Sequence, residues 1–308
     1  MPPTGRVTAV NGVAARLQTH RLLRIATVVL TAVLPLTPVV SAAIVVMTTL
    51  REGVRLATID TVAAVLVLVG MLQLTSGDVV RPMLSALALW GGALLGGSLL
   101  RSFRSVDLAV QALVLLALAG VLMATLAIPD AQGYWQPFLE ALIKAAGLPQ
   151  VGGLPSEWLG TMAALMHGAV AASLLATLIP ALMLGLWFNR RVPDTDAEAG
   201  NWRRRFLELR LGRVLSLTAF GAATLVPMGF LSLGGGALLV LGIGFVGQGL
   251  AIVHWTADQR SWPRIWPLGL YGTLVFGAPA AGLLLILLAI VGLLDNAFSL
   301  RRRRSNVV

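Results

Sequence analysis

The sequence predicts an all-α, polytopic membrane bundle of about eight hydrophobic segments, the first and last of them broken by proline. Three observations carry that expectation. The 308 residues are 57% hydrophobic and only 12% charged, with a mean hydropathy of +0.86, whereas soluble domains average roughly 45–50% apolar and about 25% charged. The apolar residues gather into runs that match a bilayer core of about 30 Å, which takes roughly 20 residues of helix. The basic residues, 22 Arg and the single Lys144, collect between those runs, as they do in short cytoplasmic loops. The same composition excludes fibrous and disordered classes. The absence of Cys excludes disulfide frameworks, thiol nucleophiles and Cys-held metal or iron–sulfur centres.

A basic N-terminal stretch over 1–24, read as cytoplasmic and as no cleaved signal, carries Arg6, Arg16, Arg21 and Arg24. The bundle is expected over 25–294, and a basic cytoplasmic tail over 295–308. The first segment, Leu22–Leu50, is interrupted by Pro35 and Pro38, and proline removes a donor and kinks or ends a helix. Arg51 and Arg55 follow it, so both of its ends carry basic charge. Leu56–Leu74, Met83–Leu100 and Val106–Ile128 come next, with Arg101 and Arg104 between the last two. The loop that follows is acidic at Asp130, Glu140 and Glu157, and an interfacial helix is expected around Gln136–Ala146. Trp158–Phe188 leads into the longest polar stretch, 189–213, whose second half reads as an amphipathic basic helix. Val214–Leu231 and Ala237–Trp255 follow, with the neutral turn Ser232 to Gly236 between them. The last segment, Ile265–Leu294, is broken at Pro267 and Pro279 and lies between Arg260/Arg264 and Arg301–Arg304. If the two broken segments enter and leave on one face as half-helices, nearly every arginine falls on the cytoplasmic side.

Ionisable and amide side chains at membrane depth are costly and therefore become site candidates. These are Asp60, Gln111, His167, Gln248 and His254. Each has a plain alternative: Asp60 paired with Arg51 or Arg55, His167 hydrogen-bonded to a neighbouring backbone or hydroxyl group, and His254 paired with Asp258 four residues on. The sequence contains no H-E-x-x-H, G-x-S-x-G or P-loop motif, so an enzyme is not expected. Small residues recur at Ala88, Gly92 and Gly96, and again at Gly247 and Gly249. Such faces let helix backbones approach closely, within the chain or toward a partner.

Three patches resemble one family. They are Leu50-Arg51-Glu52-Gly53 after the broken first segment, Gly247-Gln248-Gly249-Leu250-Ala251-Ile252-Val253-His254, and Gly292-Leu293-Leu294-Asp295-Asn296-Ala297-Phe298-Ser299-Leu300-Arg301. In order and spacing they are similar to the YybS-like bacterial membrane proteins, over essentially the whole chain. The resemblance implies a fold similar to the substrate-capturing S components of energy-coupling-factor transporters. It implies no established activity. The first segment departs from the S components in having no clear alanine-spaced docking motif.

The expected function is therefore that of a non-enzymatic, cofactor-free component of a bacterial inner membrane. It binds or transports a small molecule at a midplane site near His167, Gln111 and Gln248. The other expectation is a scaffold that meets a membrane protein partner through its glycine faces. The lipid bilayer is the constant partner in both, and nucleic acid is not expected.

Overall fold

A computed structural model describes residues 17, 20–34, 37–75, 79–147, 156–190, 202–263 and 265–301. Among them are thirteen helices and no strand: α1 Arg21–Val33, α2 Pro38–Glu52, α3 Val54–Thr75, α4 Val80–Phe103, α5 Val106–Ala127, α6 Ala131–Ala145, α7 Ser156–Ala164, α8 Met166–Arg190, α9 Trp202–Leu207, α10 Gly212–Leu225, α11 Leu231–Gln259, α12 Trp266–Phe276 and α13 Ala278–Phe298. Six described helices are long and apolar enough to cross a bilayer: α3, α4, α5, α8, α11 and α13. The chain is an all-α, multi-pass membrane protein, with six such helices in place of the eight segments expected. The reason is local in each case. The first segment divides into helices of 13 and 15 residues. Val214–Leu231 yields only the 14 residues of α10, because a turn over 226–229 containing Pro227 ends it, with Gly229 at φ +90°. The last segment divides at Gly277 into 11 and 21 residues, and only the second spans.

The bundle expected over 25–294 separates into two compact units. Unit 1 comprises Met1–Leu113 with Thr177–Glu208, and unit 2 comprises Val114–Ala176 with Leu209–Val308.

In unit 1 the proline break makes a helical hairpin. Pro38 occupies the first turn of α2, where its missing N–H costs nothing. The Thr37 hydroxyl donates to the carbonyls of Thr31 at 2.7 Å and Leu34 at 3.0 Å, tying down the end of α1. The helices run antiparallel, with the Ser41 hydroxyl on the Val28 carbonyl at 2.8 Å and Arg24 at the open end reaching Glu52. Trp90 of α4 donates its indole N–H to the same Ser41 at 2.8 Å. Residues 41–49 of α2 are all buried, which makes this short helix the core of the unit. Gly92 and Gly96 of α4 face Leu178 and Leu182 of α8, and Gly97 faces Thr49 of α2.

Unit 2 is built on α11. Gly236 of α11 meets Gly168 of α8 backbone to backbone, and Gly234 lies on the Ala222 carbonyl of α10. Farther along, Gly249 faces the Leu288 backbone and Gly292 faces Phe245, so α13 runs antiparallel to α11. Helices of equal polarity to lipid gain little from hydrophobic burial against each other, and small residues let dispersion do the packing.

Candidate functional site

Three polar clusters lie within these units, and their chemistry differs. In unit 1 Arg24, 3% exposed, lies between two carboxylates. Its guanidinium grips Glu52 through both terminal nitrogens, one of these contacts at 2.9 Å, and donates to Asp60 at 3.0 and 2.5 Å. Arg21 adds a bond to the other Asp60 oxygen at 2.5 Å. Asp60 is thus held by the arginines of α1, not by the expected Arg51 or Arg55, because the hairpin brings the start of α1 against α3. Two cations balance two anions. The adjoining cavity of about 10 Å³ has room for about one water, and the cluster joins helices α1, α2 and α3.

A second cluster, in unit 2, is densely bonded, with Asp295 Oδ1 the buried atom in it that lacks a hydrogen-bond partner among the described residues. Gln248 accepts from the Leu211 N–H at 3.0 Å and donates to Asp295 at 3.0 Å and Asn296 at 3.1 Å. Arg301 donates to Asp295 at 2.6 Å and to the Leu209 carbonyl at 2.7 Å, and Asn296 donates to Ser216 at 3.0 Å. Gln248, fully buried, is therefore a cross-link between helices.

The third cluster is different in kind. His167 is 5% exposed, and neither ring nitrogen has a hydrogen-bond partner among the described residues. The Trp135 ring packs edge-on against it with centroids 6.1 Å apart, and the Trp135 indole N–H is likewise buried and unpartnered. So are the hydroxyls of Thr125 and Ser232. Helical register places Ser232 and Thr125 about one turn from the Gly168–Gly236 crossing that His167 adjoins. Val121 of α5 lies against Gly236 where α8 crosses α11, and Leu165 lies against Gly235. Ser232 is one turn before Gly236 and Thr125 one turn beyond Val121, so both lie toward the same end. Buried polar groups are satisfied in the great majority of cases, and each exception needs an explanation.

Trp135 comes from α6, the interfacial helix expected around Gln136–Ala146, which begins five residues earlier at Ala131. Asp130 caps it, accepting from the Gly133 N–H at 2.8 Å. Tyr134 and Phe138 pack edge-on to Trp135 at 5.1 and 5.9 Å.

Within unit 2, His167 and Gln248, expected at one midplane site, are not neighbours. Along α11 the His167 crossing and Gln248 are separated by the twelve residues from Gly236, about 18 Å of helix. Gln111, half-buried on α5, belongs to unit 1. His254 has Nε2 2.8 Å from the Tyr271 hydroxyl and its ring 4.7 Å from Trp266. An open apolar groove of about 490 Å³ lies beside it, lined by Trp262, Trp266, Leu270 and Leu284 among others. Of the glycine faces, Gly92, Gly96 and Gly249 are filled by their own unit, Gly247 is buried within α11, and Ala88 is exposed. The basic stretch expected to be an amphipathic helix contributes only α9, six residues; 191–201 lies outside the described residues.

Sequence reasoning did not single out Trp135 or Thr125, and it placed Ser232 only in a neutral turn. It also missed Asp295, the acid that closes the apolar run of α13. Comparison with protein-family models, curated proteins and solved structures gives no match to this chain.

Proposed function

We propose that this chain is a non-enzymatic small-molecule-binding or transport component, of the kind its YybS-like resemblance implies, and that His167 marks its ligand site. One observation carries the proposal: a histidine at the start of a membrane-spanning helix, 5% exposed, with both ring nitrogens unpartnered. Such a group costs several kcal/mol of lost solvation unless something pairs with it. A ligand supplies that pairing when bound. Native mass spectrometry on protein released gently from its own membrane tests this. The expected result is a discrete small-molecule adduct on the wild type that is lost in His167→Ala; no adduct, or one indifferent to the substitution, overturns the reading.

The membrane is the bacterial inner membrane, with the N- and C-terminal tails cytoplasmic; the arginine distribution supports this. Because the chain has no Cys, Thr8→Cys and Ser305→Cys give clean single labelling sites. A membrane-impermeant maleimide labels both only after lysis, and labelling of intact spheroplasts refutes the orientation. Nothing favours the scaffold reading, since the glycines proposed for a partner at Gly92 and Gly96 are occupied by Leu178 and Leu182.

A further inference from the structure

We infer that the His167 site receives an oxyanion, a carboxylate or phosphate group carried by the bound molecule; the inference rests on the ligand-site reading above. The argument is a count of donors. Trp135 Nε1 only donates, the Thr125 and Ser232 hydroxyls donate readily, and the imidazole brings at least one N–H. All are buried without a partner among the described residues. Ser232 is moreover the second residue of α11, a helix of 29 residues whose preceding residue, Phe230, makes no side-chain cap. The first intrahelical bond there runs from the Gly234 N–H to the Phe230 carbonyl at 2.8 Å. Helix geometry therefore leaves the N–H groups of Leu231, Ser232 and Leu233 without an intrahelical acceptor, at the positive end of the helix dipole.

Acceptors of negative charge are missing on the protein side. The first turns of α8 and α11 contain no acidic residue. The two acids nearest in sequence to Trp135, Asp130 and Glu140, are both engaged, Asp130 by the Gly133 N–H and Glu140 by the Gln136 amide at 2.9 Å. No grouping of three His, Asp or Glu suited to a metal ion occurs among the described residues. Several donors plus a helix N-terminus, with no acidic residue in the first turns of α8 and α11, fit negatively charged oxygens and disfavour a cation. The side chains of Leu165 and Val121 at the crossing suit an apolar body behind that oxyanion, and α6 brings Trp135 to the site as a cover.

The test is calorimetric titration of the full-length protein in uncharged maltoside micelles with sodium benzoate, benzylamine and inorganic phosphate. Benzoate or phosphate binds and benzylamine does not. Ser232→Ala and His167→Leu each weaken that binding roughly tenfold or more, as loss of one hydrogen bond to a charged group does. Gly91→Ala, at an exposed position with open space around it, leaves it unchanged. Ser232→Ala removes only a hydroxyl, so its loss of binding is not a folding defect. Benzylamine binding at the same site, or anion binding indifferent to both variants, overturns the oxyanion. Mass spectra of the protein from its own membrane identify the source: an anionic phospholipid adduct displaced by benzoate assigns the oxyanion to a lipid headgroup, and an organic acid adduct assigns it to a free solute. A cationic or uncharged adduct lost in His167→Ala overturns the oxyanion while leaving the ligand-site reading intact. Absence of any adduct and of any anion binding overturns both.

Discussion

Replacing Arg24 by alanine should destabilise unit 1 far more than replacing its neighbour Arg21. Arg24 has a side chain 4% exposed and makes hydrogen bonds to both Glu52 and Asp60, so it ties α1 to α2 and α3 at once. Removing one partner from a buried ion pair costs about 3–5 kcal/mol, mostly from the charge left behind. Two features place the expected loss at the lower end of that range. Asp60 keeps Arg21 at 2.5 Å, and the Glu52 side chain, 24% exposed, regains some solvent. Arg24→Ala is therefore expected to cost about 3 kcal/mol. Arg21, whose side chain is 52% exposed, is expected to cost less than about 1 kcal/mol, as surface pairs do. The assay is reversible unfolding in mixed detergent micelles at increasing mole fractions of a denaturing detergent. An Arg24→Met, Asp60→Asn double-mutant cycle gives the coupling directly, expected at about 1–3 kcal/mol. Equal losses for Arg24→Ala and Arg21→Ala, or a coupling near zero, would refute the claim that this buried guanidinium holds the hairpin.

Glycine substitutions should rank by what the new methyl meets. At Gly249, Gly292 and Gly168 it runs into the backbone of the facing helix, so each alanine is expected to cost about 1–3 kcal/mol. At Gly92 and Gly96 it meets the ends of Leu178 and Leu182, 2.6 and 2.7 Å away, which can turn aside; these cost less, and exposed Gly91→Ala is near neutral. The same unfolding titration establishes the order, and a Gly92 loss exceeding that of Gly249 contradicts the packing described. The His167 cluster behaves in the opposite way: Ser232→Ala and His167→Leu, which delete unpartnered buried groups, should leave the ligand-free protein unchanged or stabilise it by about 1–3 kcal/mol. A clear destabilisation by Ser232→Ala shows that the hydroxyl has a structural partner after all.

Much of this architecture is legible in the sequence, for identifiable reasons. Proline at 35 and 38 and a second break near Pro279 locate both interrupted segments, because a missing donor and a fixed φ act locally. A helix is expected after the acidic turn at Asp130, and α6 forms there over Ala131–Ala145. Span counting overreached where an apolar run did not guarantee a long helix: Val214–Leu231 is apolar throughout, yet Pro227 and Gly229 end α10 at 14 residues. Polar partners were harder to read, because they depend on which helices meet. Asp60 looked nearest to Arg55 along α3 but bonds across space to Arg21 and Arg24, 39 and 36 residues away. Gln248 stands out in the sequence for the cost of burying its amide, whereas its partners Asp295 and Asn296 lie just beyond the apolar run, among the residues expected as a tail. Ser232 and Trp135 carry no sequence signal that distinguishes them from a turn residue and a belt aromatic.

The clusters around Arg24 and Gln248 share a logic that the His167 cluster lacks. A helix of 13 or 14 residues is about 20 Å long, well short of the hydrocarbon core, so lipid matching alone does not hold it in place. Packing between apolar helices is weak in lipid, where the surroundings are as apolar as the partner, and polar ties of roughly 0.6–2 kcal/mol each become the available fastening. The ties occur where the short helices are. α1 is fastened by Arg21 and Arg24, and α10 by Ser216 on Asn296 and by the Leu211 N–H, one residue before its start, on Gln248. Gln248→Leu is thus expected to cost about 1–3 kcal/mol, since it strips the Leu211 N–H of its acceptor and Asp295 of a donor in a buried setting. It should also expose α10 preferentially, read as faster amide exchange over 212–225 than over α11. Uniform exchange across both helices would mean that α10 is held by its apolar face and that the amide is incidental. His167, by contrast, begins a 25-residue span that needs no such fastening. Its imidazole packs edge-on against Trp135 but makes no hydrogen bond among the described residues and so fastens no short helix, and the proposed ligand rests on that difference.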